Sequence, residues 1–231
     1  MKSEVRSQKS EVREYEVFVD TGIVKVPAIL SLPENASGIV VFVHGSGSSR
    51  HSPRNQYVAQ ELQQSGLATL LMDLLTPAEE RIDLQTRHLR FDIPLLAQRV
   101  LGATQWLQDN SLTKTLKIGY FGASTGAAAA LVAAAQCPDA VSAIVSRGGR
   151  PDLAEKALKQ VLAPTLLIVG SRDSLVLELN QFALEQLQKT KHLAIIPKAT
   201  HLFEEPGTLE AVARLSSNWF RQYLSSVNSN Q

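Results

Sequence analysis

The 231-residue chain has one cysteine, Cys137. A lone thiol closes no internal disulfide and builds no thiolate-rich metal site, so it reads as a buried or half-buried side chain suited to a reducing compartment. A surplus of either charge is also lacking, since 23 Lys and Arg face 22 Asp and Glu, a net +1. No overall field marks a nucleic-acid or membrane binder, and a partner must be recognised locally. Long apolar runs are missing too. The Ala-rich segment after Ser124 stops at Gln136-Cys137-Pro138, short of the ~18 consecutive apolar residues of a spanning helix. The opening MKSEVRSQKSEVR has no apolar stretch of the secretory kind, and cytoplasmic residence is the default expectation.

What is present is a chain 44% hydrophobic, enough for a substantial core. Lys-Ser-Glu-Val-Arg occurs at residues 2–6 and again at 9–13, too short a repeat to define an architecture. Residues 1–13 read as a polar tail, 14–225 as one domain without an internal linker, and 226–231 as a second polar tail. Residues 14–20 and 24–32, joined by a Thr-Gly turn, predict an antiparallel edge hairpin. Short apolar runs follow at 39–43, 68–72, 118–121, 141–145, 165–169 and 192–196. Helical spacing separates them at 55–64, 88–108, 125–136, 175–187 and 208–224. Strands apolar on both faces, alternating with helices, predict a doubly wound, mostly parallel α/β sheet of about eight strands.

In such a sheet, ligands and reacting groups gather at the carboxyl ends of the strands. Those ends carry His44-Gly-Ser-Gly-Ser-Ser49, Asp73, Gly122-Ala-Ser-Thr-Gly126, Ser146-Arg-Gly-Gly-Arg150, Gly170-Ser-Arg-Asp173 and Pro197-Lys-Ala-Thr-His201. Ser, Asp and His therefore project from one edge in the order Ser124, Asp173, His201. The G-x-S-x-G spacing suits a sharp strand-to-helix turn that exposes a serine, and Ser124 is expected both to attack and to cap the helix it begins.

A serine hydroxyl needs a base to take its proton and a group to orient that base. His201 follows the last strand and is the candidate base, with Asp173 to fix its tautomer. Asp73 also follows a strand and stands second, as an anchor for its loop. Attack on a carbonyl places charge on oxygen, and the amides of Ser46 and Thr125 are the expected donors to it. The same glycine-serine loop lacks both common phosphate-cradling patterns.

Arginines cluster at this edge, with Arg50 and Arg54 in one loop and Arg147 and Arg150 in another. Guanidinium groups bind carboxylates and phosphates bidentately, so Arg50, Arg147 and Arg150 are candidate contacts for an anionic substrate; His44, expected in the architecture of the oxyanion loop, and His51, at the entrance, are further candidates. The alternative for these arginines is a surface role, with Arg147 tied to nearby acidic residues.

With HGSG, GASTG, GSRD and ATH in this order, the chain resembles the α/β-hydrolase superfamily, most of all its dienelactone-hydrolase-like branch. The resemblance implies Ser124 as nucleophile, Asp173 as acid and His201 as base. It also implies hydrolysis of a small-molecule acyl substrate through an acyl-enzyme, with no cofactor and no metal. Dienelactone hydrolases use a cysteine where this chain has Ser124, so the ester, lactone or thioester cleaved need not be a dienelactone. A catalytically silent binding scaffold and an acyltransferase are the alternatives. Residues 146–164 leave room for one helix and no large cap, and the segment between Leu74 and Leu89 reads as a small flap.

Overall fold

A computed structural model describes residues 11–225. The first pentapeptide copy and the 226–231 tail lie outside those residues, and of the 1–13 tail only residues 11–13 lie within. Val12 and Arg13 are already paired with Pro33 and Leu32, so strand β1 starts two residues before the expected boundary.

The strands are β1 (Val12–Asp20), β2 (Lys25–Pro33), β3 (Ile39–Val43), β4 (Ala68–Met72), β5 (Ile118–Ala123), β6 (Val141–Arg147), β7 (Thr165–Gly170) and β8 (Lys191–Ile196). They form one eight-stranded sheet in the order β1-β2-β4-β3-β5-β6-β7-β8. β2 runs antiparallel to β1 and β4, and the remaining neighbours are parallel. The helices are α1 (Pro53–Gln64), α2 (Pro77–Thr86), α3 (Ile93–Asp109), α4 (Thr125–Gln136), α5 (Ser174–Gln186) and α6 (Thr208–Leu224).

Side chains of a strand alternate between faces, so the continuous apolar runs serve two cores. Val41, Tyr120 and Ile144 pack with Leu96 and Val100 of α3 and Leu131 of α4. Phe42, Phe121 and Val145 pack on the opposite face with Leu62 of α1 and Phe220 of α6. This two-sided burial fixes the sheet and leaves its carboxyl edge to the loops.

One helical expectation is corrected, and one further helix is found. The segment at 88–108 is not one helix: a 3-10 turn at Leu89–Phe91 precedes α3, and the Asp92 side chain accepts the Leu95 amide at 3.0 Å. Pro94 explains the break, because proline is tolerated in the first helical turn and not in the interior. The flap segment is itself helical. Thr76 and Glu79 form a reciprocal capping box, Thr76 N to Glu79 Oε2 at 2.7 Å and Glu79 N to Thr76 Oγ1 at 3.2 Å, with Pro77 opening α2. Between β6 and β7 stands only the kinked 3-10 segment Pro151–Gln160, so no large cap covers the edge.

Candidate active site

Ser124 joins β5 to α4 with φ 50° and ψ −124°, a conformation that costs an L-residue about 1–3 kcal/mol and survives only where the surroundings impose it. Those surroundings are specific. A Cβ at Gly126 would lie 2.1 Å from the Val43 carbonyl oxygen and 2.4 Å from that of His44, so only glycine lets the turn pass under β3. The Gly45 backbone approaches so closely that a Cβ there would lie 2.9 Å from Ser124 Cβ. The Ser124 amide donates to the Arg147 carbonyl at 3.3 Å, and the Ser124 carbonyl accepts from Ala127 N at 3.1 Å and Arg150 N at 3.0 Å.

The expected double role of Ser124 is half corrected, because its side chain stands at the N-cap position without a capping hydrogen bond. Capping residues normally adopt extended φ and ψ, whereas the positive φ here turns the hydroxyl off the helix amides. Asp173 repeats the pattern at the start of α5: it caps nothing. Its Oδ2 lies 2.6 Å from His201 Nδ1. An imidazole that donates from Nδ1 to a carboxylate presents Nε2 as its proton acceptor. Asp73 is engaged elsewhere, accepting the Arg50 amide at 2.7 Å and pairing with the Arg50 guanidinium.

Ser46 and Thr125 are brought together, with the Ser46 amide donating to Thr125 Oγ1 at 3.0 Å. Thr125 is buried and opens α4, so its own amide has no acceptor within the helix. Two backbone donors thus flank Ser124, beside the positive end of a helix.

The entrance residues divide sharply. His44 is buried, with Nε2 accepting the Leu74 amide at 3.1 Å and Nδ1 at 2.9 Å from the Gly45 carbonyl. Burial pushes its pKa below the ordinary value of 6.5. Both ring nitrogens are used internally, so His44 holds the loop and is withdrawn as a substrate contact. His51 is exposed on the same loop. Arg50 and Arg150 are also withdrawn as free anion contacts. Arg50 is neutralised by Asp73, and Arg150 is held by Asp152 through Nε to Oδ1 at 2.9 Å and Nη2 to Oδ2 at 2.7 Å. Asp152 stands two residues from Arg150, whereas Asp73 reaches Arg50 from the end of the neighbouring strand β4, a proximity that only the sheet order creates.

Arg147 is different: it is 8% exposed, and among the described residues its Nη2 reaches only Asn55 Oδ1 at 3.5 Å. Burial, and then the neighbouring Arg54, push its pKa down to about 10, which leaves it a cation at neutral pH. Asn55, buried in the first turn of α1, escaped the sequence reading because nothing in a helical stretch marks one polar residue as facing inward. The ordering of α2 carried a legible signal, the Thr-Pro-Ala-Glu start of a helix. α2 holds Asp83, whose burial is outweighed by the hydrogen bonds it accepts from Arg90, so its pKa lies below the ordinary value. Together with His44, Ser46, Asp73 and Leu74, these two residues line a cavity of about 30 Å³ behind the Gly45–Gly47 loop.

Comparison with known proteins agrees with this architecture. The profile of the alpha/beta hydrolase domain family matches residues 36–216. A crystal structure of dienelactone hydrolase from Anabaena variabilis is 65% identical, covers 92% of this chain and 99% of its own, and superposes with a TM-score of 0.91. Est1E from Butyrivibrio proteoclasticus shares the fold at 16% identity and a TM-score of 0.74, over 90% of this chain and 98% of its own. A Mycobacterium tuberculosis protein provisionally named a phosphoribosyl transferase is 58% identical over 213 residues, 92% of this chain. The chain spans only 47% of that relative's length. By its family profile and by its likeness over nearly the full length of a solved relative, the chain belongs to the alpha/beta hydrolases, on their dienelactone-hydrolase-like branch.

Proposed function

We propose that the chain is a serine hydrolase that cleaves a carboxylic ester through an acyl-enzyme, with lactones and thioesters as further substrates. The observation that carries this reading is the hydrogen bond from His201 to Asp173 at 2.6 Å, on the sheet edge where the strained turn exposes Ser124. Ser124 Oγ attacks the carbonyl carbon while its proton passes to His201 Nε2, and Asp173 stabilises the imidazolium. The oxygen that gains charge accepts from the Thr125 amide and from the Ser46 amide, which exchanges Thr125 Oγ1 for the oxyanion. Collapse breaks the bond to the leaving group, whose oxygen takes the proton from His201. Water then attacks the acyl carbon as it gives a proton to the same nitrogen; collapse breaks the bond to Ser124 Oγ, which takes that proton back, and the acid leaves.

The dienelactone hydrolase name of the 65% identical structural relative supports this chemistry. The name phosphoribosyl transferase belongs to a protein about half of which this chain matches, and the His44–Ser49 loop has neither common phosphate-cradling pattern. A fluorophosphonate probe tests the reading directly. Labelling of the folded protein, abolished in Ser124→Ala, is expected. Absence of labelling in the folded wild-type protein would instead favour a silent scaffold that binds a ligand or protein. Product analysis with added alcohols separates hydrolysis from acyl transfer.

A further inference from the structure

Arg147 poses a problem of its own. Its side chain is 8% exposed, yet its Nε and Nη1 are buried without a hydrogen-bond acceptor among the described residues. Buried guanidinium groups normally meet a carboxylate, because an unpaired buried charge is strongly destabilising. Here the nearby charge that acts on it is another cation, Arg54, whose Nε is likewise buried and unpartnered. Arg54 has only a long contact of 3.4 Å to Glu204, whose side chain is 64% exposed. The first turn of α1, which carries Arg54 and Asn55, adds the positive end of a helix dipole to the same place.

This cluster adjoins the proposed reacting groups. The Arg147 carbonyl accepts the Ser124 amide, and a Cβ on the next residue, Gly148, would lie 3.5 Å from His201 Nδ1. An adjoining cleft of about 370 Å³ has Arg54 on one wall and Glu204, Glu205 and Glu210 on others. Those carboxylates disfavour an anion along most of the cleft and leave the wall at Arg54, the neighbour of Arg147, as the favourable seat.

Resting on the serine-hydrolase reading, we infer that Arg147 and Arg54 form an oxyanion subsite that selects acyl substrates carrying a carboxylate or phosphate close to the scissile carbonyl. The two guanidiniums hold donors that nothing among the described residues satisfies, and a planar or tetrahedral oxyanion satisfies them while removing their mutual repulsion. Seating it needs a small outward movement of Arg54, the more exposed of the two. Arg50 and Arg150 have no such role, since each already has a carboxylate.

The test compares kcat/KM for the mono-p-nitrophenyl ester of succinate with its neutral methyl ester, and for a phosphono-acyl ester with its dimethyl form. The wild-type protein is expected to prefer at least one anionic member, and whichever pair shows the preference identifies the group. Arg54→Ala and Arg147→Lys are expected to lower the anionic-to-neutral ratio about tenfold, the scale of one charge-assisted contact. Arg221→Ala, on exposed α6 surface, should leave the ratio unchanged. Equal effects on both members of each pair, or no anionic preference, would overturn the subsite even with ester hydrolysis intact.

A second measurement separates this inference from the reading beneath it. Thermal stabilisation of Ser124→Ala by inorganic phosphate or succinate should appear, and should vanish when Arg54→Ala is added. Stabilisation without ester turnover or probe labelling would retain the anion site and sink the hydrolase. Turnover of neutral esters without stabilisation by either anion would do the reverse.

Discussion

The amide of Ser46 donates to the Thr125 hydroxyl at 3.0 Å, joining the loop after β3 to the first residue of α4 across 79 positions of sequence. The contact orders the loop, and on the proposed serine-hydrolase mechanism it gives the amide an acceptor until an oxyanion takes that place. Thr125→Val removes that acceptor and is expected to destabilise the protein by about 1 kcal/mol. It should also lower kcat by about tenfold or more, since a misplaced donor loses transition-state stabilisation. Thr125→Ser keeps the hydroxyl and should restore both. A faster Thr125→Val enzyme would show that the hydroxyl competes with the oxyanion instead of preparing its site.

The two aspartates at the edge should separate by the quantity each controls. Asp173→Asn disturbs the tautomer and charge of His201, and kcat/KM should fall by about a thousandfold or more with little change in Tm. Asp73→Asn loosens the Arg50 anchor and should appear mainly as a stability loss of about 2 kcal/mol. Calorimetry and ester kinetics on the two variants check both halves. The opposite pattern would exchange their roles.

Gly126→Ala places a Cβ 2.1 Å from the Val43 carbonyl oxygen, a fixed backbone atom. The turn cannot yield without moving β3, and a loss of more than about 3 kcal/mol is expected in denaturant unfolding. Gly66→Ala is the useful contrast: it meets no atom within 4 Å and has φ +81°, so it carries a backbone penalty alone. That penalty is on the order of 1 kcal/mol. Similar losses in the two variants would remove the packing argument.

Burial depresses the pKa of His44 from 6.5, so below that pH the unfolded chain takes up a proton that the folded one resists. The contribution of this residue is fully present above pH 6.5 and is lost as pH falls from there toward the folded-state value. Tm should therefore drop on the acid side, and the drop should be shallower in His44→Gln. Parallel Tm profiles for the two proteins between about pH 8 and 5.5 would show that His44 does not supply the slope.

Much of the fold was legible because the strands are buried on both faces. Residues 39–43 and 68–72 read as continuous apolar runs, and the structure gives β3 and β4 those same bounds. The helix boundary near Asp92 was harder, since apolar spacing continues through a place where Pro94 and a side-chain cap set the start. The Ser124, Asp173 and His201 positions were readable from strand ends, because chain order follows topology. The arginines were not. Arg50, Arg147 and Arg150 look alike in sequence, and only their neighbours tell them apart.

The sequence by itself determined the alternation of strand and helix, the glycines that permit a sharp turn at Ser124, and the set of polar residues delivered to one edge. Apolar periodicity and backbone sterics act over a few residues and can be read locally. Tertiary structure decided which partner each of those side chains obtained: Asp73 for Arg50, Asp173 for His201, Thr125 for Ser46, and for Arg147 no carboxylate among the described residues. Charge neutralisation and hydrogen bonding depend on distances of a few ångströms between segments far apart in the chain, which only the packed sheet fixes.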